Sequence, residues 1–117
     1  GFLGQNMSLY KDTKMNENMN YSIIKGGIIN FSRQLASYYG KFGVRINTIS
    51  PGGVKGHVKG SKNKQDKKFL QRYSALCPMK RLATPEEIAN STLFLASDAS
   101  TYITGTNFVV DGGWSII

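Results

Sequence analysis

The clearest pattern in the chain is a run of apolar residues at helical spacing between positions 20 and 40. Four of them repeat every three or four positions and predict an amphipathic helix: Ile24, Ile28, Phe31 and Leu35. The helix is predicted to begin near Asn18 or Asn20, because asparagine is a favourable N-cap. It is predicted to end at Gly40 or Gly43, because glycine readily forms the turn that closes a helix.

Two short segments have the composition of β-strands. The first, "VRINTIS", covers residues 44–50, follows a glycine and precedes "PGG". The second covers residues 107–110 and precedes "DGG". β-Branched residues bounded by glycine and proline favour strands that end in turns. We therefore predict two strands, each ending in a glycine-rich loop.

Two further helices are predicted between these strands. The first is expected from about Gln65 to Leu76. The second has the clearest start signal in the chain, because Thr84 can act as the N-cap, Pro85 suits the first helical position and Glu87 completes a capping box. Residues 1–17 are polar and without periodicity, and they are predicted to form a loop.

The order helix, strand, helix, helix, strand indicates the α/β class with a parallel sheet. Two strands do not form an independently stable sheet. We therefore expect residues 1–117 to be the last third to half of a doubly wound domain. A first residue Gly1, where an open reading frame would begin with Met, agrees with that expectation.

Composition narrows the class of protein further. The hydrophobic content of 40% and the mean hydropathy of −0.28 are typical of a soluble globular domain. No apolar run approaches the roughly 18 residues of a membrane span, and no signal peptide is visible. The single cysteine, Cys77, predicts a buried free thiol in a reducing, cytoplasmic compartment. With one cysteine and one histidine, His57, no metal site, Cys-His pair or Ser-His-Asp triad is predicted.

The net charge of +8 is concentrated in one segment. Six lysines fall within residues 55–68: Lys55, Lys59, Lys62, Lys64, Lys67 and Lys68. We interpret this segment as a solvated loop that leads into a helix. Binding of nucleic acid is not expected, because no nucleic-acid-binding motif accompanies the charge. A non-catalytic basic binding module on an enzyme scaffold is the alternative interpretation.

Tyr21 and Lys25 lie four residues apart near the start of the first helix, and therefore on one helical face. Their segment, "YSIIK", is followed by "VRINTISPGGV", "KRLATPEEIANSTLFLASD" and "YITGTNFVVDGG". The four segments, in this order, resemble the short-chain dehydrogenase/reductase family, whose signatures include Tyr-x-x-x-Lys and Asp-Gly-Gly. The resemblance runs from Tyr21 to Gly113.

The resemblance implies a Rossmann-fold oxidoreductase that moves hydride between NAD or NADP and an alcohol or carbonyl. It also implies that residues 1–117 are the C-terminal half of this single Rossmann-like domain, because the glycine motif of the family's N-terminal, nucleotide-phosphate-binding half is absent here. It assigns Tyr21 as the general acid and base, assisted by Lys25. The assistance is electrostatic, because a cation within about 4–6 Å of a phenol favours the phenolate. It also implies that both residues contact the cofactor. The loop expected along the nicotinamide is formed by Pro51, Gly52, Gly53 and Val54.

Other implications of the resemblance concern residues outside this pair. The serine that normally completes the site is expected before Gly1, with Ser8 as a weaker candidate. The family often has a threonine after the "PGG" loop, and none follows here. Lys80 occupies a position where glycine is common, and little functional effect is expected. Packing against a neighbouring helix is the expected reason for Gly26 and Gly27 inside the first helix.

The family also suggests partners and limits. The full-length enzyme is expected to be a homo-oligomer acting on a small molecule. The basic loop lies where family members carry the substrate lid, and it suggests an anionic or sugar-linked substrate. The sequence of the first helix is similar to that of oxidoreductases of bacterial surface-sugar or flagellin modification. The isolated chain, without the phosphate-binding half, is expected to be inactive.

Overall fold

The computed structural model describes residues 2–13, 15, 19–56 and 65–117. Three helices and two strands occur there in the order α1 (Asn20–Tyr39), β1 (Thr48–Pro51), α2 (Lys67–Leu76), α3 (Pro85–Ala96) and β2 (Asn107–Val110). The strands pair in parallel, with Thr48 opposite Asn107 and Pro51 opposite Val110. A parallel pair needs a crossover connection, which α2 and α3 provide. The predicted α/β class with a parallel sheet is confirmed.

Helix α1 begins at Asn20 and is followed by a turn of 3-10 helix over Gly40–Phe42, so the predicted helix is confirmed. The apolar stripe that predicted it points mainly outward, with Ile24 56% and Phe31 58% exposed. The buried residues of α1 are Ile29 and Ala36. Periodicity therefore located the helix correctly, but the stripe is not the face that packs inside this chain.

Strand β1 is shorter than the predicted strand over residues 44–50, and that prediction was wrong for residues 44–47. The preceding segment is held largely by side chains, together with a backbone bond from the N–H of Gly105 to the carbonyl of Ile46 at 2.8 Å. Asn47 donates from Nδ2 to the carbonyl of Ile103 at 2.9 Å, and its Oδ1 accepts from the backbone N–H of Thr106 at 3.1 Å. The strand also continues through Pro51, which was expected in the loop.

Arg45 joins the same segment to the end of α3. Its guanidinium donates to the carbonyls of Leu95 at 2.9 Å, Ser97 at 3.2 Å and Ile103 at 3.3 Å. The last carbonyls of a helix have no partner inside the helix. Arg45 therefore closes α3 and connects it to the approach of β1.

Local capping sets where α2 and α3 begin. Helix α2 begins two residues later than predicted, because Asp66 is its N-cap and accepts from the backbone N–H groups of Lys68 and Phe69. The predicted capping box of α3 is confirmed, with Thr84 and Glu87 bonded reciprocally. These caps leave α2 and α3 as separate helices.

The core of the described chain lies between α2, the N-terminal segment and the end of β2. Its buried residues are Leu9, Tyr73, Cys77 and Leu82, and Trp114 packs against them. The prediction that Cys77 is a buried free thiol is confirmed, since it is 1% exposed. Within the described ranges, no helix combines the length and apolar character needed to cross a membrane.

Candidate active site

Tyr21 and Lys25 occupy the first two turns of α1 and lie on the same side of the helix. The Nζ atom of Lys25 is 5.9 Å from the centre of the Tyr21 ring. Both residues line a cleft of about 430 Å³ between α1 and β1. The other residues of that cleft are Ile28, Ile29, Thr48, Ile49, Ser50 and Pro51. The structure thus brings the predicted pair to the C-terminal end of β1.

Tyr21 also lines a second cavity, of about 290 Å³, on the other side of Ser50 and Pro51. Aromatic side chains form much of its wall: Tyr10, Phe69, Tyr73 and Trp114. Polar residues of the N-terminal segment, Gln5 and Asn6, lie on the same wall. Tyr21, Ser50 and Pro51 therefore border both cavities.

Close contacts hold the predicted cofactor loop against the rest of the chain. The backbone N–H of Gly52 donates to the carbonyl of Val110 at 3.0 Å, and that of Gly53 donates to the hydroxyl of Tyr73 at 2.6 Å. Val54 pairs with Ala83 in an isolated parallel bridge. The loop therefore lies directly beside both the end of β2 and helix α2.

Neither glycine of this loop leaves room for a side chain. A methyl group on Gly52 would lie 2.8 Å from the Cα of Asp111. One on Gly53 would lie 2.9 Å from two ring carbons of Tyr73. Such contacts are shorter than real Cβ atoms make, so close approach explains the glycine pair of "PGG".

The glycine pair after β2 forms a turn organised by Asp111. Its carboxylate accepts from the backbone N–H groups of Gly113 and Ser115, both at 2.9 Å. Burial raises the pKa of Asp111, but these hydrogen bonds outweigh burial and hold the pKa below its ordinary value. Gly113 has a φ of 88°, which glycine adopts without strain. The turn delivers Trp114 onto the ring of Tyr73.

Ser50 is a buried polar residue of the site that the sequence did not indicate. Its hydroxyl donates to Oδ1 of Asn107 at 2.6 Å across the sheet. The hydroxyl of Thr48 lies 3.2 Å from the same Asn107 oxygen. These bonds fix a polar floor under the boundary between the two cavities.

The structure does not bring Ser8 to Tyr21. Ser8 is exposed, its hydroxyl donates to Oδ1 of Asn6 at 2.7 Å, and it is not part of either cavity wall. The expectation that the family serine precedes Gly1 stays a prediction. Residues 57–64 of the predicted lysine-rich loop lie outside the described residues, and they include His57, Lys59, Lys62 and Lys64.

Sequence reasoning missed Tyr73, Trp114 and Asp111 as parts of this region. Tyr73 had a weak signal, because Phe69, Tyr73 and Cys77 are spaced four residues apart and predict one face of a helix. Nothing in the sequence indicated that this face would contact the "PGG" loop. No group of three or more metal-ligating side chains occurs within the described part of the chain.

Comparison with known proteins defines the class to which this site belongs. A family model described as Enoyl-(Acyl carrier protein) reductase matches residues 5–115. The chain belongs to the short-chain dehydrogenase/reductase family. The predicted family membership is therefore confirmed.

Similar proteins illustrate the range of the family. The chain is 40% identical over 95 residues to D-arabinitol 2-dehydrogenase (ribulose-forming) of Candida tropicalis, covering 80% of this chain and 34% of that protein. It is 34% identical over 107 residues to post-translational flagellin modification protein A of Campylobacter coli, covering 92% and 39%. The chain spans little more than a third of the length of these relatives.

A solved structure supports the fold assignment. The short-chain dehydrogenase of Leptospira borgpetersenii with bound NAD⁺ superposes with a TM-score of 0.81 and 34% identity. The match covers 95% of this chain and 39% of that one. The Rossmann-like fold that the resemblance implied is thereby confirmed for a partial domain.

Proposed function

We propose that the chain is the C-terminal part of an NAD(P)-dependent oxidoreductase that interconverts an alcohol and a carbonyl compound. The observation that carries the proposal is the Tyr21–Lys25 pair at the boundary of two cavities that meet beside the end of β1. The NAD⁺-bound Leptospira relative supports the choice of cofactor class. General acid–base chemistry is the role that a phenol beside an ammonium suits best.

The residues present fit the nicotinamide end of a dinucleotide. Gly52 and Gly53 line the second cavity beside Tyr21, and their close packing on Asp111 and Tyr73 holds the loop in place there. Lys25 would hold the nicotinamide ribose, and residues 51–54 would lie along the ring. When bound, the dinucleotide supplies hydride to the carbonyl carbon or accepts hydride from the alcohol carbon.

Tyr21 handles the proton that must move with the hydride. In reduction, the phenol gives its proton to the substrate oxygen as that oxygen gains negative charge, and the product is a neutral alcohol. In oxidation, the phenolate takes the hydroxyl proton back. The ammonium of Lys25, 5.9 Å from the ring centre, stabilises the negative phenolate in both directions.

Removal of the Tyr21 hydroxyl tests this role directly. Tyr21→Phe in the protein as the gene encodes it is expected to lower kcat by at least about 100-fold, the usual contribution of general acid–base catalysis. Binding of NADH or NADPH should persist. Tyr102→Phe makes the same chemical change at a fully exposed residue and should leave kcat unchanged. Undiminished turnover by Tyr21→Phe contradicts the proposed mechanism.

We propose a polyol or sugar-linked substrate, with an anionic form as the narrower prediction. The arabinitol and flagellin-modification relatives support the former, and Gln5, Asn6 and Ser50 offer polar groups around the second cavity. None of the described residues lining that cavity is basic, and the anionic prediction rests on the charge of the lysine-rich segment 55–68 alone. Equal kcat/KM for neutral and phosphorylated sugars contradicts the anionic prediction.

The chain's own architecture supports three further proposals about the whole protein. Its described residues contain two strands, and α1 exposes Ile23 (76%) and Phe31 (58%), so a further part of the domain or a second subunit is expected to cover this face. We propose that the whole protein is a homo-oligomer. We also propose that the isolated chain, residues 1–117, binds no NAD(P). A cytoplasmic location is the third proposal, and the free thiol of Cys77 supports it. Light scattering of the whole protein and calorimetric titration of the isolated chain test the first two; a monomer, or measurable dinucleotide affinity of the chain, contradicts them.

A further inference from the structure

Tyr73 makes a contact that links helix α2 to the loop beside Tyr21. The residue is 7% exposed, and its hydroxyl accepts a hydrogen bond of 2.6 Å from the backbone N–H of Gly53. Its ring stacks on that of Trp114, with centres 4.2 Å apart and planes 10° apart. Stacking and burial leave the phenol little freedom to turn away from the loop.

The loop is fitted to Tyr73 as closely as backbone allows. A methyl group on Gly52 would lie 2.9 Å from the Tyr73 hydroxyl oxygen, and one on Gly53 would lie 2.9 Å from ring carbons of Tyr73. The carbonyl of Gly53 also accepts from the backbone N–H of Ala83 at 2.9 Å. The position of Gly53 is thus set from one side by a hydroxyl and from the other by a strand-like bridge.

The same residues form a wall on the side of Tyr21. Pro51 borders both cavities that Tyr21 borders, and Gly52 and Gly53 border the second cavity, the one with the aromatic wall. Loss of the Tyr73 hydrogen bond would leave the N–H of Gly53 without its acceptor. The loop would then shift to find another partner, and the wall facing the cofactor would shift with it.

We propose that Tyr73 is a positioning residue that sets the nicotinamide-facing loop through its hydrogen bond to Gly53. The inference rests on the proposed function, because it takes residues 51–54 as the loop that lies along the cofactor. Tyr73 acts through this loop and not on the substrate proton. Its loss should therefore weaken dinucleotide binding while the pH dependence of kcat, set by Tyr21, is retained.

Tyr73→Phe in the protein as the gene encodes it tests the inference, because the stacked ring is kept and only the hydroxyl is removed. Dinucleotide binding would have to return the displaced loop to its place, so the cost of leaving the N–H of Gly53 unpaired there would be measured as a loss of affinity of about tenfold. We expect the Kd of NADH or NADPH, measured by fluorescence titration, and the KM for the dinucleotide to rise about tenfold. The pH profile of kcat should not move.

Ser100→Ala is the matched control for general destabilisation. Ser100 is 1% exposed, and its hydroxyl donates to the carbonyl of Leu95 at 3.0 Å, away from the loop. The Ser100→Ala variant, like Tyr73→Phe, loses a buried hydroxyl, but it should keep its affinity for the dinucleotide. Hydrogen exchange of the peptide over residues 50–55 gives a readout without activity and should increase in Tyr73→Phe alone.

Each outcome decides the question. A folded Tyr73→Phe variant whose Kd and KM stay within twofold of wild type overturns the inference. An equal loss of affinity in Ser100→Ala also overturns it, because the effect is then one of general stability. Failure of the wild-type protein to bind either dinucleotide overturns the proposed function and this inference together, and it is seen without any variant.

Discussion

Replacement of Arg45 is expected to destabilise the fold more than replacement of any exposed charge in the described chain. Its guanidinium holds the carbonyls of Leu95, Ser97 and Ile103 at 2.9, 3.2 and 3.3 Å. Arg45→Met keeps a similar apolar stem but removes all three donors. Two elements separated by about fifty residues in sequence would then lose their shared contact.

The magnitude follows from the three bonds. A hydrogen bond from a charged donor contributes about 1.5–3 kcal/mol, and the shortest bond, to Leu95, is expected to lie in that range. The two longer bonds add about 1 kcal/mol together, because Arg45 is only half-buried and water can replace part of their contribution. Arg45→Met should therefore lower the free energy of unfolding by about 3 kcal/mol. Arg45→Lys keeps the positive charge but not the planar set of guanidinium donors, and its loss of unfolding free energy should be about half as large.

Urea unfolding of the gene-encoded protein at fixed protein concentration measures this change. With a slope of roughly 2–3 kcal/mol per molar, a 3 kcal/mol loss lowers the midpoint by about 1–1.5 M. Arg33→Met, at an exposed position of α1, is the control and should stay within about 0.5 kcal/mol. A loss below 0.5 kcal/mol for Arg45→Met refutes the view that Arg45 connects β1 to α3.

Three further outcomes are expected. Gly53→Ala should cost about 1–3 kcal/mol of stability in thermal unfolding through the clash with the ring of Tyr73, whereas Gly40→Ala, with φ of −55° and open space, should be neutral or stabilising; equal effects would contradict the packing argument. The hydrogen bond from Arg81 holds the pKa of Glu87 at about 2, against 4.5 ordinarily, so its stabilising effect is complete above pH 4.5 and lost as the pH falls through about 2; Glu87→Gln should remove this part of the acid-unfolding profile, and an unchanged profile would count against it. Lys80 has a φ of 55°, so Lys80→Gly should be near neutral in urea unfolding while Lys80→Val should cost about 1–2 kcal/mol, and equal stabilities would show that no strain is present.

The left-handed backbone of Lys80 also gives a physical reason why glycine is common at this position. Glycine is common at this position in the family, and the structure places the residue where glycine is free of strain. The resemblance to the family identified the unusual residue, whereas its φ angle is known only from the structure. The expected lack of functional effect stays a prediction.

Local signals predicted the elements well where the chemistry is local. The capping box of Thr84 and Glu87 located the start of α3, because both partners lie within one turn. The start of β1 was misplaced because residues 44–47 have strand-like composition, while Asn47 bonds the backbone of Ile103 and Thr106 through its side chain and not through a strand ladder. Propensity reports on the residue itself and carries no information about a partner sixty positions away.

The candidate site was predictable in part for the same reason. Tyr21 and Lys25 share a helical face, which spacing alone indicates. The contact between Gly53 and Tyr73 spans twenty residues, including segment 57–64, and no periodicity predicts it. A methyl group on Gly27 would meet no described atom within 4 Å. The expected packing of a neighbouring helix on Gly27 therefore stays a prediction.

Parallel pairing explains why two glycine-rich turns far apart in sequence form one region. Because β1 and β2 run in the same direction with Pro51 opposite Val110, their following turns leave the sheet at the same edge. Ligands of open α/β sheets bind at that edge. Tyr21 comes to the same edge on α1, the helix before β1, so the position of its phenol depends on helix packing and not on the strand register. The chemistry of the site and the loop that borders it are therefore set by separate contacts, which is why variants of Tyr21 and Tyr73 can be expected to affect different kinetic constants.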